Sequence, residues 1–205
     1  MYVDIKAAAQ NWRHVYKLCI GFINPRPIAL ASTISPDGKL NLAPYSFYNM
    51  VSANPPVVIV CPTVNRHGQQ KDTLRNIQAT GEFVVATVSA KIAKAMNQCA
   101  ATLPYGQSEF EFSGLTPTSA TNIKPMLVRE SPVNIECRLR EIKTIGDGPG
   151  SGNVVFGDIL AIHLNDEILD EDGIPDPRKL TTVGRLGGSW YATANDPFEL
   201  KIPQV

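Results

Sequence analysis

Four side chains stand where a polar loop gives way to a helical pattern: Arg66, Lys71, Asp72 and Thr73, within NRHGQQKDTLRNIQATG. The first amides of a helix have no internal acceptors, and the helix dipole favours an anion beside them. A lysine, an arginine and a hydroxyl at that point make a phosphate site, each charge-assisted hydrogen bond contributing about 1.5–3 kcal/mol. The same residues also read as an ordinary capped helix with solvated cations. A second group lies upstream, where Pro44-Tyr45-Ser46-Phe47 and Asn49 bring a hydroxyl, two rings and an amide to the exit of a hairpin. That shoulder could hold a planar ligand, or be no more than a polar exit. The familiar catalytic sets are missing. His14, His67 and His163 are far apart without metal-ligand spacing, and there is no GxSxG or HExxH. The glycines of GDGPGSGN (146–153) do not fit GxGxxG, and no helix follows them. The acidic run 166–176 lacks the spacing of a calcium loop. A hydrolytic triad would need scattered residues, which a sequence neither shows nor excludes.

The elements that must position these groups follow from pattern. Residues 28–34 are apolar up to Ser32 and Thr33, Ser35-Pro36-Asp37-Gly38 is a turn, and 39–43 return. Proline presets φ in that turn and glycine closes it. Residues 5–18 read as a short helix or an irregular arm. Residues 57–61 form a continuous apolar run suited to a buried strand. Asp72 is expected to N-cap a helix over 73–79, with Leu74 and Ile77 facing inward and Gly81 ending it. Residues 82–88 read as a strand. Ser89 is expected to cap a second helix with Ile92, Met96 and Cys99 on its buried face. Residues 101–131 read as a long connection anchored by Phe110, Phe112 and Leu115. From 133 to 142 the chain alternates: Val133, Ile135, Cys137 and Leu139 one way, Asn134, Glu136, Arg138 and Arg140 toward solvent. Residues 154–164 form a long strand in which Gly157 marks a bulge or a close approach. About seven strands with two inserted helices point to an antiparallel barrel, since closure removes unpaired edges.

The bulk properties exclude several classes. A chain of 205 residues can form one sizeable core, and a single domain over 1–205 is expected. The formal net charge is +0, which argues against broad nucleic-acid or anionic-membrane binding but not against one locally held anion. No export signal or run of about 20 apolar residues appears, so a cytoplasmic location is expected. Cys19, Cys61, Cys99 and Cys137 are widely spaced without CxxC, which fits reduced core thiols.

The segments PRPIALAST, NLAPYSFYN, KDTLRNIQATGEFVV and GRLGGSWYA, in that order, resemble the flavin reductase-like proteins with an FMN-binding split barrel, over roughly residues 15–195. The resemblance implies a mainly β, antiparallel Greek-key split barrel with short helices, and a homodimer with FMN near the interface. It implies that Ala31, Ser32 and Thr33 run along the flavin ring and that Ser46, Phe47 and Asn49 flank ring and ribityl chain. Lys71, Thr73 and Arg66 would hold the phosphate. Arg26 and Arg185 match family positions near the site without an assigned contact. His163 matches a position where histidine can face the nicotinamide or substrate, and a structural histidine at a strand end is the other reading. The implied activity is hydride transfer from NADH or NADPH through FMN to a flavin, a metal complex or an oxygenase partner. The alternatives are a non-catalytic FMN store or sensor, and a split-barrel relative with another ligand such as haem. Trp190 and Tyr191 are expected in the dimer interface.

Overall fold

The computed structural model describes residues 2–8, 11–104 and 107–203. Helices α1 (Ile5–Ala8) and α2 (Trp12–Phe22) precede strands β1 (Arg26–Pro27), β2 (Ala29–Ile34), β3 (Leu40–Tyr45), β4 (Tyr48–Ala53) and β5 (Pro56–Val60). After α3 (Asp72–Thr80) come β6 (Glu82–Thr87), α4 (Ala93–Gln98) and α5 (Glu109–Ser113). The two-residue strands β7 (Pro117–Thr118) and β8 (Leu127–Val128) lead to the long pair β9 (Val133–Ile145) and β10 (Gly152–Leu164). Helix α6 (Pro177–Leu180) and strands β11 (Val183–Arg185) and β12 (Tyr191–Thr193) end the ordered elements.

Seven strands form one sheet in the order β3-β2-β6-β9-β10-β5-β4, with every neighbouring pair antiparallel. Strands β3 and β4 lie at opposite edges, yet only Ser46 and Phe47 separate them along the chain. The sheet must therefore curl until its edges meet at that turn, and no ladder joins β3 to β4. The result is a barrel with a seam, where a fully closed one was expected from the strand count alone. Ala29, Val58, Val60, Phe83, Val85, Cys137 and Val155, drawn from strands all round the sheet, pack together with Leu74 and Ile77 of α3. They fill the barrel interior, and α3 plugs it. On the outer face Leu30, Leu42 and Ala86 pack against Ile92, Met96, Cys99, Phe110 and Leu115. Strand β2 thus has leucine facing one layer and alanine the other, and both faces are buried.

Several local readings change. Helix α2 runs on to Phe22, and β4 was not anticipated as a strand. Asp72 lies inside α3, with Lys71 at its N-cap and no side-chain cap bond, while Gly81 does end the helix at φ 72°. Ser89 caps nothing with its side chain and opens a 3-10 turn, Ala90–Ile92. Phe112 is exposed, whereas Phe110 and Leu115 are buried. The outward set of β9 is solvated only from Arg138 onward. Glu136 is buried where the segment between β7 and β8 binds it through the amides of Thr121 and Asn122, and Asn134 where it exchanges hydrogen bonds with Val128 of β8. Gly157 does sit at a register shift, and a Cβ there would collide with the Phe83 ring. Residues 183–185 and 191–193, unassigned from pattern, form with β1 a separate three-stranded sheet, β1-β11-β12.

Candidate functional site

The start of α3 has the ingredients of an anion site. Its N-cap, Lys71, is exposed and extended (ψ 150°), and no side chain caps the first turn. The leading amides therefore keep their orphan donors, at the positive end of a nine-residue helix. Arg66 stands exposed on the preceding loop, donating Nε–H to His67 Nε2 at 3.0 Å. That loop is pinned by Asn65 Oδ1, which accepts from the amides of His67 and Gln69. Asp72 is paired with Arg75.

Thr73 is placed differently from the expectation. Its hydroxyl is buried and accepts Nδ2–H of Asn41 at 2.9 Å. Asn41 also donates to Thr33 Oγ1 at 3.0 Å, and Asn76 donates to the same oxygen at 3.1 Å. Thr33 and Thr73 are thus joined in a polar network between β2, β3 and α3. Ala31 and Ser32 are fully buried, in a strand paired on both sides. No exposed edge exists there, because β2 is interior to the sheet. Ser32 Oγ is the one buried side-chain polar atom without a partner among the described residues.

The turn that closes the barrel carries the accessible groups. Phe47 is 40% exposed and its carbonyl accepts the amide of Cys61. Asn49 is exposed, with its Oδ1 accepting from the amide of Met50. Ser46 Oγ faces Nε of Arg26 at 3.4 Å. Tyr45, immediately before this turn, lies near Thr73 in the first turn of α3, and burial pushes its phenol far above its ordinary range. The helix start and the seam are therefore neighbours.

Arg26 is buried and clasps three carbonyls: Ile20 and Ile23 of the α2 end, and Leu186 beyond β11. Arg185 bonds Tyr191 Oη and the Gly188 carbonyl, with its guanidinium 4.5 Å from the Tyr191 ring centre. A cavity of about 290 Å³ opens between the small sheet and the barrel, lined among others by Arg26, Tyr48, Thr87, Val88, Val183 and Thr193. Burial raises the Tyr48 phenol to about 12.

His163 does not line that cavity. Its Nε2 lies 2.6 Å from Oε1 of Glu136, whose two oxygens accept the amides of Thr121 and Asn122 at 2.8 Å each. Burial pushes the Glu136 carboxyl up, but those amides and the imidazole more than offset it and hold it below the usual range. His163 thus helps fasten a loop through Glu136. Sequence reasoning missed Glu136, whose alternation signalled solvent, and the contacts of Arg26. For Arg26 the sequence signal was its match to a family position near the site, with no contact assigned.

The family model for the flavin reductase like domain matches residues 22–183. A protein of Aquifex aeolicus is 38% identical over 188 residues, covering 92% of this chain and 94% of its own. The crystal structure of nitrilotriacetate monooxygenase component B from Bacillus cereus matches with a TM-score of 0.90 at 34% identity, covering 98% of this chain and 99% of that one. The 2-nitrobenzoate 2-nitroreductase of Pseudomonas fluorescens matches with a TM-score of 0.86 at 31% identity, covering 99% and 96%.

Proposed function

Because this chain belongs to the flavin reductase-like family, we propose that it binds FMN and acts as an oxidoreductase fed by NADH or NADPH. The observation that carries the reading is the uncapped, cation-flanked start of α3, joined to β3 through the Asn41–Thr73 bond, with β3 leading directly into the half-buried Ser46 and the exposed Phe47 and Asn49. A phosphate and a planar ring on one ligand fit those two neighbours. Lys71, Arg66 and the first amides of α3 would hold the phosphate, and Ser46, Phe47 and Asn49 would flank ring and ribityl chain. Ala31, Ser32, Thr33 and the Thr73 hydroxyl serve as the wall behind them, since their side chains are buried. FMN supplies the hydride chemistry, so the protein needs no acid–base pair of its own. The chain's task is to orient the ring, keep one face open and exclude water from the other.

The electron acceptor is a small molecule or a partner oxygenase. The likeness to a monooxygenase component and to a nitroreductase supports both kinds of acceptor. The protein works as a homodimer in the cytoplasm, a reading in keeping with four free cysteines and with exposed apolar residues on β4 and β10. Among the described residues no helix is long and apolar enough to cross a membrane. The test is anaerobic. NADH or NADPH should bleach the yellow FMN-loaded protein, and His163→Ala should bleach at the same rate. If dithionite reduces the flavin but neither nucleotide does, the protein is an FMN carrier or takes another donor.

A further inference from the structure

We propose that Arg26 is a positioning residue for the flavin site whose buried charge favours the reduced, anionic ring over the oxidised, neutral one. This rests on the FMN reading above. Arg26 is 7% exposed, and every acceptor it meets is neutral: the carbonyls of Ile20 (3.0 Å), Ile23 (2.6 Å) and Leu186 (2.9 Å), and the Ser46 hydroxyl. Among the described residues it forms no ion pair. A buried cation is ordinarily paired with an anion, because desolvation is costly and only a close opposite charge offsets it. Here burial is the largest influence and disfavours the charge, as does the neighbouring Arg185, while Tyr16 acts the other way.

A clip between three carbonyls does not by itself require a charge beside Ser46. That side is also the least satisfied. The Nε–Oγ separation of 3.4 Å is longer than an ordinary N–H···O bond, whereas the three carbonyl bonds measure 2.6–3.0 Å. Ser46 is one of the two residues at the seam turn, where the ring would rest. When an oxidised flavin takes two electrons from the donor and one proton, it becomes an anion, and a fixed positive charge one hydroxyl away stabilises that product more than the neutral starting ring.

The experiment compares wild type with Arg26→Gln and Arg26→Lys as FMN-loaded proteins. It records the two-electron midpoint potential, the affinity for oxidised FMN, and the melting of the FMN-free forms. Both substitutions break the three-carbonyl clip, so both should melt earlier. Arg26→Gln should cut the affinity for reduced relative to oxidised FMN about tenfold, a fall of about 30 mV for a two-electron couple. Arg26→Lys should recover most of that ratio. Equal midpoints in all three proteins would overturn the charge role and leave a purely structural clip. Should both variants misfold, the pH dependence of the wild-type midpoint decides. Uptake of one proton per two electrons in mild acid supports the proposal, and uptake of two overturns it. If wild type binds no FMN at all, the parent reading fails and this one with it.

Discussion

At the scale of single residues, exposure separates the groups that can meet a ligand from those that build its wall. Lys71 is exposed at the N-cap, so Lys71→Ala should weaken FMN about tenfold, the lower end of a charge-assisted bond because solvent screens it. Riboflavin, which lacks the phosphate, should bind both proteins alike, and fluorescence titration with the two ligands checks this. Thr73→Val should behave in the opposite way. It leaves Asn41 Nδ2–H short of an acceptor inside the network, so it should cost about 1–3 kcal/mol of stability in urea melts without changing the FMN-to-riboflavin ratio. Glu136 ties stability to pH. Its folded pKa is depressed, so its contribution is complete above the unfolded value of about 4.3 and disappears as pH falls through the folded value. Glu109 runs the other way: burial raises its pKa, so ionising it destabilises the fold as pH rises toward that value. Glu136→Gln should therefore lower stability near neutrality and flatten its decline in acid, as read from urea melts at several pH values. A steeper acid decline in the variant would contradict the assignment.

At the scale of elements, turns and glycines were legible, and strands β4, β11 and β12 were not. The 35–38 turn, the Gly81 stop and the Gly157 bulge each follow from a local conformational demand that one or two residues announce. Gly157→Ala should cost about 1–3 kcal/mol, because the added methyl meets the buried Phe83 ring. Thermal melts of Gly157→Ala alone and with Phe83→Leu check the cause, since trimming the ring should recover part of the loss. Strand β4 carries an irregular burial pattern and pairs only with β5, so no clean alternation marks it. Strands β11 and β12 are three residues each, too short for a periodic signal.

At the scale of the whole molecule, the seam and the uncovered apolar side chains bear on assembly. Met50 and Val51 on β4, Leu160, Ile162 and Leu164 on β10, and Trp190 are all exposed. Scattered singly such residues are ordinary, and exposed apolar side chains are what the proposed twofold mate would cover. Sedimentation at micromolar concentration should give a dimer mass, and Met50→Lys with Ile162→Lys should give monomers. Tyr191 is half-buried against the chain's own outer core layer, whereas Trp190 is exposed, so of that pair only Trp190 is free to meet the proposed mate.

The sequence by itself determined the β-rich class, the hairpin, the helix that follows residue 71 and the family, because each rests on local spacing or on motifs in fixed order. Only the tertiary structure decided which hydroxyls are reachable. Thr33 and Thr73 lie far apart in sequence and meet through Asn41 once the barrel closes on α3, so their side chains face inward. The same holds for Arg26, whose partners lie on α2, on the seam and beyond β11, and for Glu136, which is buried by a segment that shows no period of its own. Burial and partnership depend on what the rest of the chain places opposite a residue, and a local pattern holds no record of that.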